Sequence, residues 1–258
     1  MSTANAQLNT TETGLLRPQM PELDSVRGLA ILMVLFYHCF YWQIDLGKFP
    51  RIERLFLASM WTGRLGVNLF FVLSGFLITG LLVDSRGRPD YYRRFYIRRA
   101  LRILPAYFAT LAVLAVAGTS WKFLGLSFVY LANLTPLFGV AIAYPVLWSL
   151  AVEEHFYLCW PMVVRQLTNR GILLTAAAVV AVSPLLRLLT YSICARNGRV
   201  SYEVFDYTWN SADGLACGAA LAVWLREFRP GRKNVAWVAA GLLAAAISIE
   251  LLGLPLGF

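Results

Sequence analysis

Charged residues are scarce in this chain, and neither an internal repeat nor a soluble domain stands out. Asp, Glu, Lys and Arg make up 14% of the 258 residues, whereas hydrophobic residues make up 59%. Soluble globular domains carry about 25% charged residues. The composition therefore excludes an ordinary soluble protein and predicts an integral membrane protein.

Two further signals are absent. Residues 1–19 are polar and rich in Thr and Asn, without the basic segment and short apolar core of a cleavable signal peptide. We therefore expect residues 1–22 to form a disordered tail. The cysteines lie in or beside apolar stretches without the spacing of metal ligands or of a disulfide framework, which favours small buried packing residues and no metal site. They are Cys39, Cys159, Cys194 and Cys217.

Apolar runs fill most of the remaining chain. They comprise residues 26–42, 67–83, 103–117, 147–164, 172–190, 212–224 and 235–254. Most are near the roughly 17–25 residues that a helix needs to cross about 30 Å of hydrocarbon, although 212–224 is short. The predicted fold is all-α, a polytopic bundle of six or seven transmembrane helices.

The positive charge of the chain is concentrated in one loop. Seven arginines fall within residues 86–102, directly between two apolar runs. Because basic loops beside membrane spans lie in the cytoplasm, this loop and the N-terminal tail are predicted to be cytoplasmic. Such a distribution argues against nucleic acid as a partner.

Segment 121–137 decides the orientation of everything after it. Lys122, Asn133 and Pro136 interrupt its apolar character. The later basic clusters at 165–170 and 226–233 come out cytoplasmic only if this segment does not fully cross. We therefore expect a re-entrant or interfacial segment.

The first apolar run contains two ionisable residues, Arg27 and His38. Eleven residues are about three helical turns, so the two side chains project from one face, about 16 Å apart along the axis. An ionisable group inside a span is a functional hypothesis by default. His38 is predicted to contact the reacting groups, or alternatively to be a neutral imidazole hydrogen-bonded between helices. Arg27 could also be an interfacial anchor.

A second group of ionisable residues lies in "LWSLAVEEHFYLCWP". Glu153 and Glu154 are adjacent and therefore about 100° apart around a helix, so one is expected to face the bundle and the other to support it. The alternative is a pair of interfacial charges near a helix end. His155 is predicted to be structural.

The stretch "GVNLFFVLSGFLITG" contains Ser74 and Gly75. Because it lacks the strand–turn–helix context of a nucleophile elbow, close helix packing is the preferred interpretation. Asn68 is expected to cap the helix or contact a cavity.

Four motifs in this order resemble the acyltransferase-3 family of bacterial membrane acyltransferases: "RGLAILMVLFYH", "NLFFVLSGFLIT", "FYIRRALRILPAYF" and "LWSLAVEEHFYL". A fifth stretch, "TWNSADGLACGAALA", is similar to a further family segment. The resemblance implies a membrane-embedded domain over residues 23–258 that lacks the last helices of the family. The family often carries an arginine just before the residue equivalent to Asp213, whereas here Asn210, Ser211 and Ala212 precede it.

The resemblance implies O-acylation, usually O-acetylation, of a hydroxyl on a lipid-linked, surface or exported glycan at the bacterial inner membrane. Acyl-CoA, in particular acetyl-CoA, would be the co-substrate, with no bound cofactor. The arginine and histidine of the family fall on Arg27 and His38, and its acidic segment falls on Glu153 and Glu154. Its arginine-rich loop falls on Arg93, Arg94, Arg98, Arg99 and Arg102.

These positions predict a mechanism with open alternatives. Guanidinium groups on the inner face are suited to the phosphates of CoA, although control of topology explains the loop equally well. His38 could take the proton of the acceptor hydroxyl or carry the acyl group. A glutamate could orient the imidazole or bind the acceptor, and Arg27 could stabilise negative charge. The rival function is a transporter or flippase for a glycolipid or small anion.

Overall fold

The computed structural model describes residues 21–39, 63–196 and 206–228, and every regular element in these ranges is helical. The predicted all-α fold is therefore confirmed. The elements are α1 (Pro21–Cys39), α2 (Gly63–Ser85), α3 (Tyr91–Val116), α4 (Trp121–Phe128), the 3₁₀ helix η1 (Ala132–Phe138), α5 (Val146–Gln166), α6 (Asn169–Arg196) and α7 (Thr208–Phe228).

The chain divides into two compact units. One unit is Pro21–Val223, which contains nearly all of the described residues. The other, Met1–Met20 with Trp224–Phe258, lies almost entirely outside them. The predicted N-terminal tail and the apolar run 235–254 also lie outside the described residues, apart from the first two residues of α1.

Three of the described helices are long and apolar enough to cross a membrane: Leu65–Ser85, Tyr91–Val116 and Asn169–Arg196. They contain the predicted apolar runs that begin at residues 67, 103 and 172. The runs that begin at 26, 147 and 212 correspond to α1, α5 and α7, which are 19, 21 and 21 residues long. The chain is thus a multi-pass membrane protein.

Helices α3 and α5 pack antiparallel. The Tyr91 hydroxyl donates a hydrogen bond to the Pro161 carbonyl at 3.0 Å, and the Tyr96 hydroxyl donates one to the Leu158 carbonyl at 2.8 Å. The residue number on α5 falls as that on α3 rises. Residues near 99 on α3 therefore lie level with residues near 154 on α5.

Helices α2 and α5 run parallel. The rings of Phe71 and Trp148 meet edge to face at 5.9 Å. Further along both helices, the Trp160 indole donates a hydrogen bond to the Thr79 hydroxyl at 2.8 Å. Between these contacts, Ser74 lies at the level of Glu153.

The α2–α3 turn and the α5–α6 turn lie at the same end of the bundle. The Arg86 guanidinium donates a hydrogen bond to the Asn169 side-chain oxygen at 3.2 Å, and Arg165 donates one to the Arg88 carbonyl at 3.4 Å. The chain between α3 and α5 must therefore stay at the opposite end. At eight residues, α4 is about 12 Å long, which confirms that segment 121–137 does not provide a spanning helix.

Glycines allow α2 and α7 to approach closely. A Cβ atom at Gly75 would overlap the Leu215 carbonyl, and one at Gly218 would overlap the Val72 carbonyl. Small residues permit such backbone contact between membrane helices. The prediction that Ser74–Gly75 marks close packing is confirmed.

The expectation that the cysteines are buried is wrong for Cys159, which is exposed on α5. Cys194 and Cys217 are partly exposed, and all three thiols are free. The outer face of a membrane bundle contacts lipid, so an apolar thiol is accommodated there without burial in the protein.

Candidate active site

The most buried ionisable side chain of the predicted site is Glu153, which is 5% exposed. Two hydroxyls face its carboxyl group: Ser74 from α2, and Tyr157 one turn further along α5. Within the described residues, Glu153 Oε1 and Ser74 Oγ have no hydrogen-bond partner. Buried polar atoms without partners are uncommon and mark a place where a ligand group or water can bind.

Glu154 and Arg99 form an ion pair beside this carboxyl group. Arg99 Nε lies 3.7 Å from Glu154 Oε1, and the two side chains are 18% and 20% exposed. This separation exceeds hydrogen-bond length. The Arg99 guanidinium also lies on the face of the Tyr157 ring, so the pair is held from α3 and α5 together.

Glu153 and Glu154 contact different helices, as expected for adjacent residues that point about 100° apart around α5. Glu153 faces α2, whereas Glu154 faces α3. The long Arg99 side chain nevertheless interacts with both carboxylates. Its single positive charge can balance only one negative charge, so the cluster holds more acidic than basic groups.

An aromatic wall that sequence reasoning missed borders Glu154. The Tyr130 ring stacks on the Tyr107 ring at 4.4 Å between centroids, and the Tyr107 hydroxyl donates a hydrogen bond to the Ser127 carbonyl at 2.6 Å. Burial, and secondarily the Glu154 carboxylate, raise the pKa of the Tyr130 hydroxyl to about 12. The phenol is therefore protonated and a hydrogen-bond donor at neutral pH, and it has no partner in the described part of the chain.

Tyr130 also has an unusual backbone. Its φ of 59° is the only positive value among the described residues other than glycine. A left-handed conformation costs such a residue about 1–2 kcal/mol, and strain of this kind clusters at functional sites. No sequence pattern marks it, because tyrosine is not a residue that favours this conformation.

The ring of His38 is oriented by its own helix. Its Nδ1 atom lies 2.8 Å from the Val34 carbonyl. A carbonyl only accepts hydrogen bonds, so Nδ1 carries the proton, and Nε2 of the neutral ring is left as a base or nucleophile. Within the described residues, no hydrogen bond or ion pair joins His38 to Glu153 or Glu154.

The packing of α1 on α2 sets the level of Arg27. Its guanidinium lies 5.5 Å from the centre of the Phe70 ring. Phe70 precedes Ser85, the end of α2, by fifteen residues, or about 22 Å. Arg27 therefore lies within the bundle, about one turn of α2 from the level of Ser74, and not near the bundle end where the sequence placed it.

The remaining predicted arginines lie along α3. Arg93, Arg98 and Arg102 are exposed, and Arg94 is partly buried. Residues 94, 98 and 102 follow each other at four-residue spacing, so they share one face over about 12 Å. We call them the basic stripe; it leads from the start of α3 to the level of the Arg99–Glu154 pair. Asn68 lies five residues inside α2, so the expectation that it caps the helix is wrong; its side chain is exposed and makes no hydrogen bond within the described residues.

A second ion pair joins α6 and α7. Arg187 Nη2 lies 3.1 Å from Asp213 Oδ2, and Arg187 Nε donates a hydrogen bond to the Asn210 carbonyl at 3.1 Å. The charge partner that the residues before Asp213 lack thus comes from α6. The available signal was an arginine inside the apolar run 172–190.

Membrane helices that enclose two carboxylates, a guanidinium and unpaired hydroxyls define a membrane protein with a polar site inside its bundle. The chain belongs to the acyltransferase-3 family, whose acyltransferase domain matches residues 20–257. The family resemblance of the four motifs is therefore confirmed.

Several curated proteins are similar to this chain. Peptidoglycan O-acetyltransferase OatA of Listeria monocytogenes is 30% identical over 234 residues, covering 81% of this chain and 34% of that protein. Putative peptidoglycan O-acetyltransferase YrhL of Bacillus subtilis is 31% identical over 234 residues, covering 80% and 33%. O-acetyltransferase OatA of Staphylococcus aureus is 29% identical over 213 residues, covering 71% and 32%.

The chain spans about a third of the length of these curated relatives. No solved structure matches it.

Proposed function

We propose that this chain is a membrane O-acyltransferase that moves an acyl group, in particular acetyl, from acyl-CoA to a hydroxyl of a lipid-linked, surface or exported glycan. The observation that supports this most directly is the cluster of Glu153, Glu154 and Arg99. Several of its polar atoms have no hydrogen-bond partner among the described residues, and it lies inside the bundle of an acyltransferase-3 protein. The similar proteins, O-acetyltransferases of peptidoglycan among them, support acetyl transfer to a glycan.

The basic stripe is the proposed donor site. CoA carries several phosphate groups, and exposed guanidinium groups bind phosphate through paired hydrogen bonds. Because the stripe begins at the α2–α3 turn, a donor held there would reach from that end of the bundle toward Glu154. Arg93 and Asn68 are assigned secondary roles in substrate contact, since both are exposed.

The proposed orientation follows from the two turns that share one end of the bundle. Both carry arginines, and basic turns favour the cytoplasm. The donor end is therefore assigned to the cytoplasmic side of a bacterial inner membrane, with a cytoplasmic N-terminus. Residues 23–258 are assigned to the membrane-embedded acyltransferase domain.

The transfer forms a C–O bond between the acceptor oxygen and the acyl carbon and breaks the C–S bond of the thioester. The acceptor proton passes to a base and then to the departing CoA thiolate. His38, with Nε2 available, is the proposed base, or the nucleophile that carries the acyl group as an acyl-imidazole.

The glutamates are assigned to the acceptor. No described contact links them to the imidazole, and His38 follows Val34, which packs near Gly66, about two turns of α2 before the level of Ser74. Binding a part of the acceptor other than the hydroxyl that reacts at His38 is therefore the better supported of their two predicted roles. The Arg99 guanidinium beside them can stabilise negative charge that develops during transfer. Arg27, which lies nearer this level than the sequence suggested, is assigned to the same electrostatic role.

The test is the ester content of surface and exported glycans, measured by mass spectrometry. A strain lacking the gene is complemented with the chain, with Glu153→Gln or with His38→Ala, at matched membrane abundance. The matched control is Gln166→Ala, an exposed change at the end of α5. We expect esters with the wild-type chain and the control, and little or none with the two site variants.

Two results would contradict the proposal. Full ester content with both site variants would remove Glu153 and His38 from the chemistry. A change in the location of the glycan without any ester would favour the transporter.

A further inference from the structure

A hydrogen-bond network joins α5 and α7 to the segment between α4 and η1, which contains Tyr130. The left-handed backbone of Tyr130 places its phenol beside Glu154. The next residue on α5, His155, faces the same segment and also the start of α7. Its Nδ1 atom lies 2.7 Å from the Thr208 hydroxyl at the start of α7, and the imidazole also faces the backbone of Tyr130. A single residue next to Glu154 thus contacts both the segment between α4 and η1 and the first turn of α7.

Asn133 completes this network. Its side chain is fully buried, and its Nδ2 atom donates a hydrogen bond to the Thr208 hydroxyl at 2.8 Å. A longer bond, 3.4 Å, runs from the same atom to the Asp206 carbonyl. Three elements, η1, α5 and α7, therefore meet at one hydroxyl group.

The chemistry of the groups fixes the direction of one of these hydrogen bonds. The Asn133 amide nitrogen can only donate, so the Thr208 oxygen accepts there, which leaves the Thr208 proton available for His155 Nδ1. A neutral imidazole that accepts at Nδ1 carries its proton on Nε2. A Thr208 hydroxyl that donates to Nδ1 pairs with this tautomer, whereas one that accepts from Nδ1 pairs with the other; in both cases the hydroxyl holds the imidazole ring.

We propose that Thr208, Asn133 and His155 are positioning residues that hold Tyr130 in its left-handed conformation, with its phenol as a hydrogen-bond donor to an oxygen atom of the substrate beside Glu154. This inference rests on the proposed acyl transfer and adds a substrate-contacting residue to it. Three observations support it: the positive φ of Tyr130, the unpaired phenol, and a partly buried hydrogen-bond network whose imidazole faces the backbone of the same residue.

Thr208 offers a matched pair of variants. Thr208→Ser keeps the hydroxyl, whereas Thr208→Val keeps the shape of the side chain and removes it. With the purified full chain, acyl-CoA and a sugar acceptor, we expect Thr208→Val to lower kcat about tenfold. This is less than the roughly 10²–10³-fold cost of losing an oriented donor, because the phenol is misplaced and not removed. The KM for acyl-CoA should stay within about twofold, because the donor site lies on α3. Thr208→Ser should restore most of kcat.

A double-variant cycle tests whether the network acts through Tyr130. Tyr130→Phe removes the phenol and keeps the stacked ring. If Thr208 acts by placing that phenol, Tyr130→Phe/Thr208→Val should be no slower than Tyr130→Phe alone. The control is Thr110→Val on α3, where the hydroxyl bonds only to the Ala106 carbonyl of its own helix; its kcat should be unchanged.

Three results would overturn the inference: full activity of Tyr130→Phe, equal losses in Thr208→Ser and Thr208→Val, or multiplicative losses in the double variant. Loss of kcat in parallel with the thermal stability of the purified chain would show a purely structural network. Absence of ester formation by the wild-type chain would refute the proposed function instead, so the two failures are distinguishable.

Discussion

Replacing Glu154 with glutamine removes the negative charge that faces Arg99 and keeps the size of the side chain. Removing one partner of a fully buried ion pair costs about 3–5 kcal/mol, whereas exposed pairs contribute about 0–1 kcal/mol. Here both side chains are about one-fifth exposed, and Glu153 also interacts with Arg99. We therefore expect Glu154→Gln to lower the free energy of unfolding by about 1–2 kcal/mol.

Thermal unfolding of the purified chain in detergent measures this loss. For a chain of this size, 1 kcal/mol lowers Tm by about 2–4 °C, so the expected decrease is about 2–8 °C. Arg98→Met is the matched control, because Arg98 is exposed one residue before Arg99; its Tm should change little.

A double-mutant cycle with Arg99→Met distinguishes the stability due to the Glu154–Arg99 ion pair from the stability due to the packing of each side chain. In Glu154→Gln/Arg99→Met, no unpaired guanidinium remains, so the double variant should be more stable than the sum of the two single losses predicts. Strictly additive losses, or a Glu154→Gln protein as stable as the wild type, would refute the interpretation that the pair is coupled inside the bundle.

Three further perturbations test other contacts. Gly75→Ala should lower the free energy of unfolding by on the order of 2 kcal/mol, because its Cβ meets the backbone of α7. Gly125→Ala lies in open space inside α4 and should be neutral or slightly stabilising in the same assay; equal losses would contradict the close packing. Asp213→Asn should lower Tm by about 2–6 °C by leaving Arg187 without its counter-charge, and an unchanged Tm would show that the pair contributes nothing. Arg98→Ala should raise the KM for acyl-CoA several-fold with kcat nearly unchanged, most clearly at low salt, and an unchanged KM would remove it from the donor site.

The positions of the helices and of the two acidic residues could be predicted from the local sequence. Apolar runs of spanning length predicted α1, α2, α3, α5, α6 and α7, because burial in lipid requires such runs whatever their neighbours are. Lys122, Asn133 and Pro136 showed that segment 121–137 would not span, since polar and helix-breaking residues are costly in hydrocarbon. Ionisable residues inside apolar runs marked Glu153 and Glu154 by the same reasoning.

Two features could not be predicted from the local sequence: the position of α1 along α2, and the residue that forms an ion pair with Asp213. Arg27 was expected near the inner interface from its place in its own run, but its depth depends on how α1 packs against α2. Arg187 is separated from Asp213 by 26 residues along the chain. No local pattern states which residues of two distant helices face each other.

The sequence by itself determined a multi-pass helical membrane protein of the acyltransferase-3 family, with a small set of ionisable residues inside it. Only the tertiary structure decided that Arg99, among the five arginines of the arginine-rich loop, faces Glu154, and that Tyr130 adopts a left-handed backbone beside that carboxylate. Hydrophobicity and charge are properties of single segments, so the local sequence is enough to predict them. Contacts between segments depend on the rotation and register of whole helices, which the packing of all of them sets together.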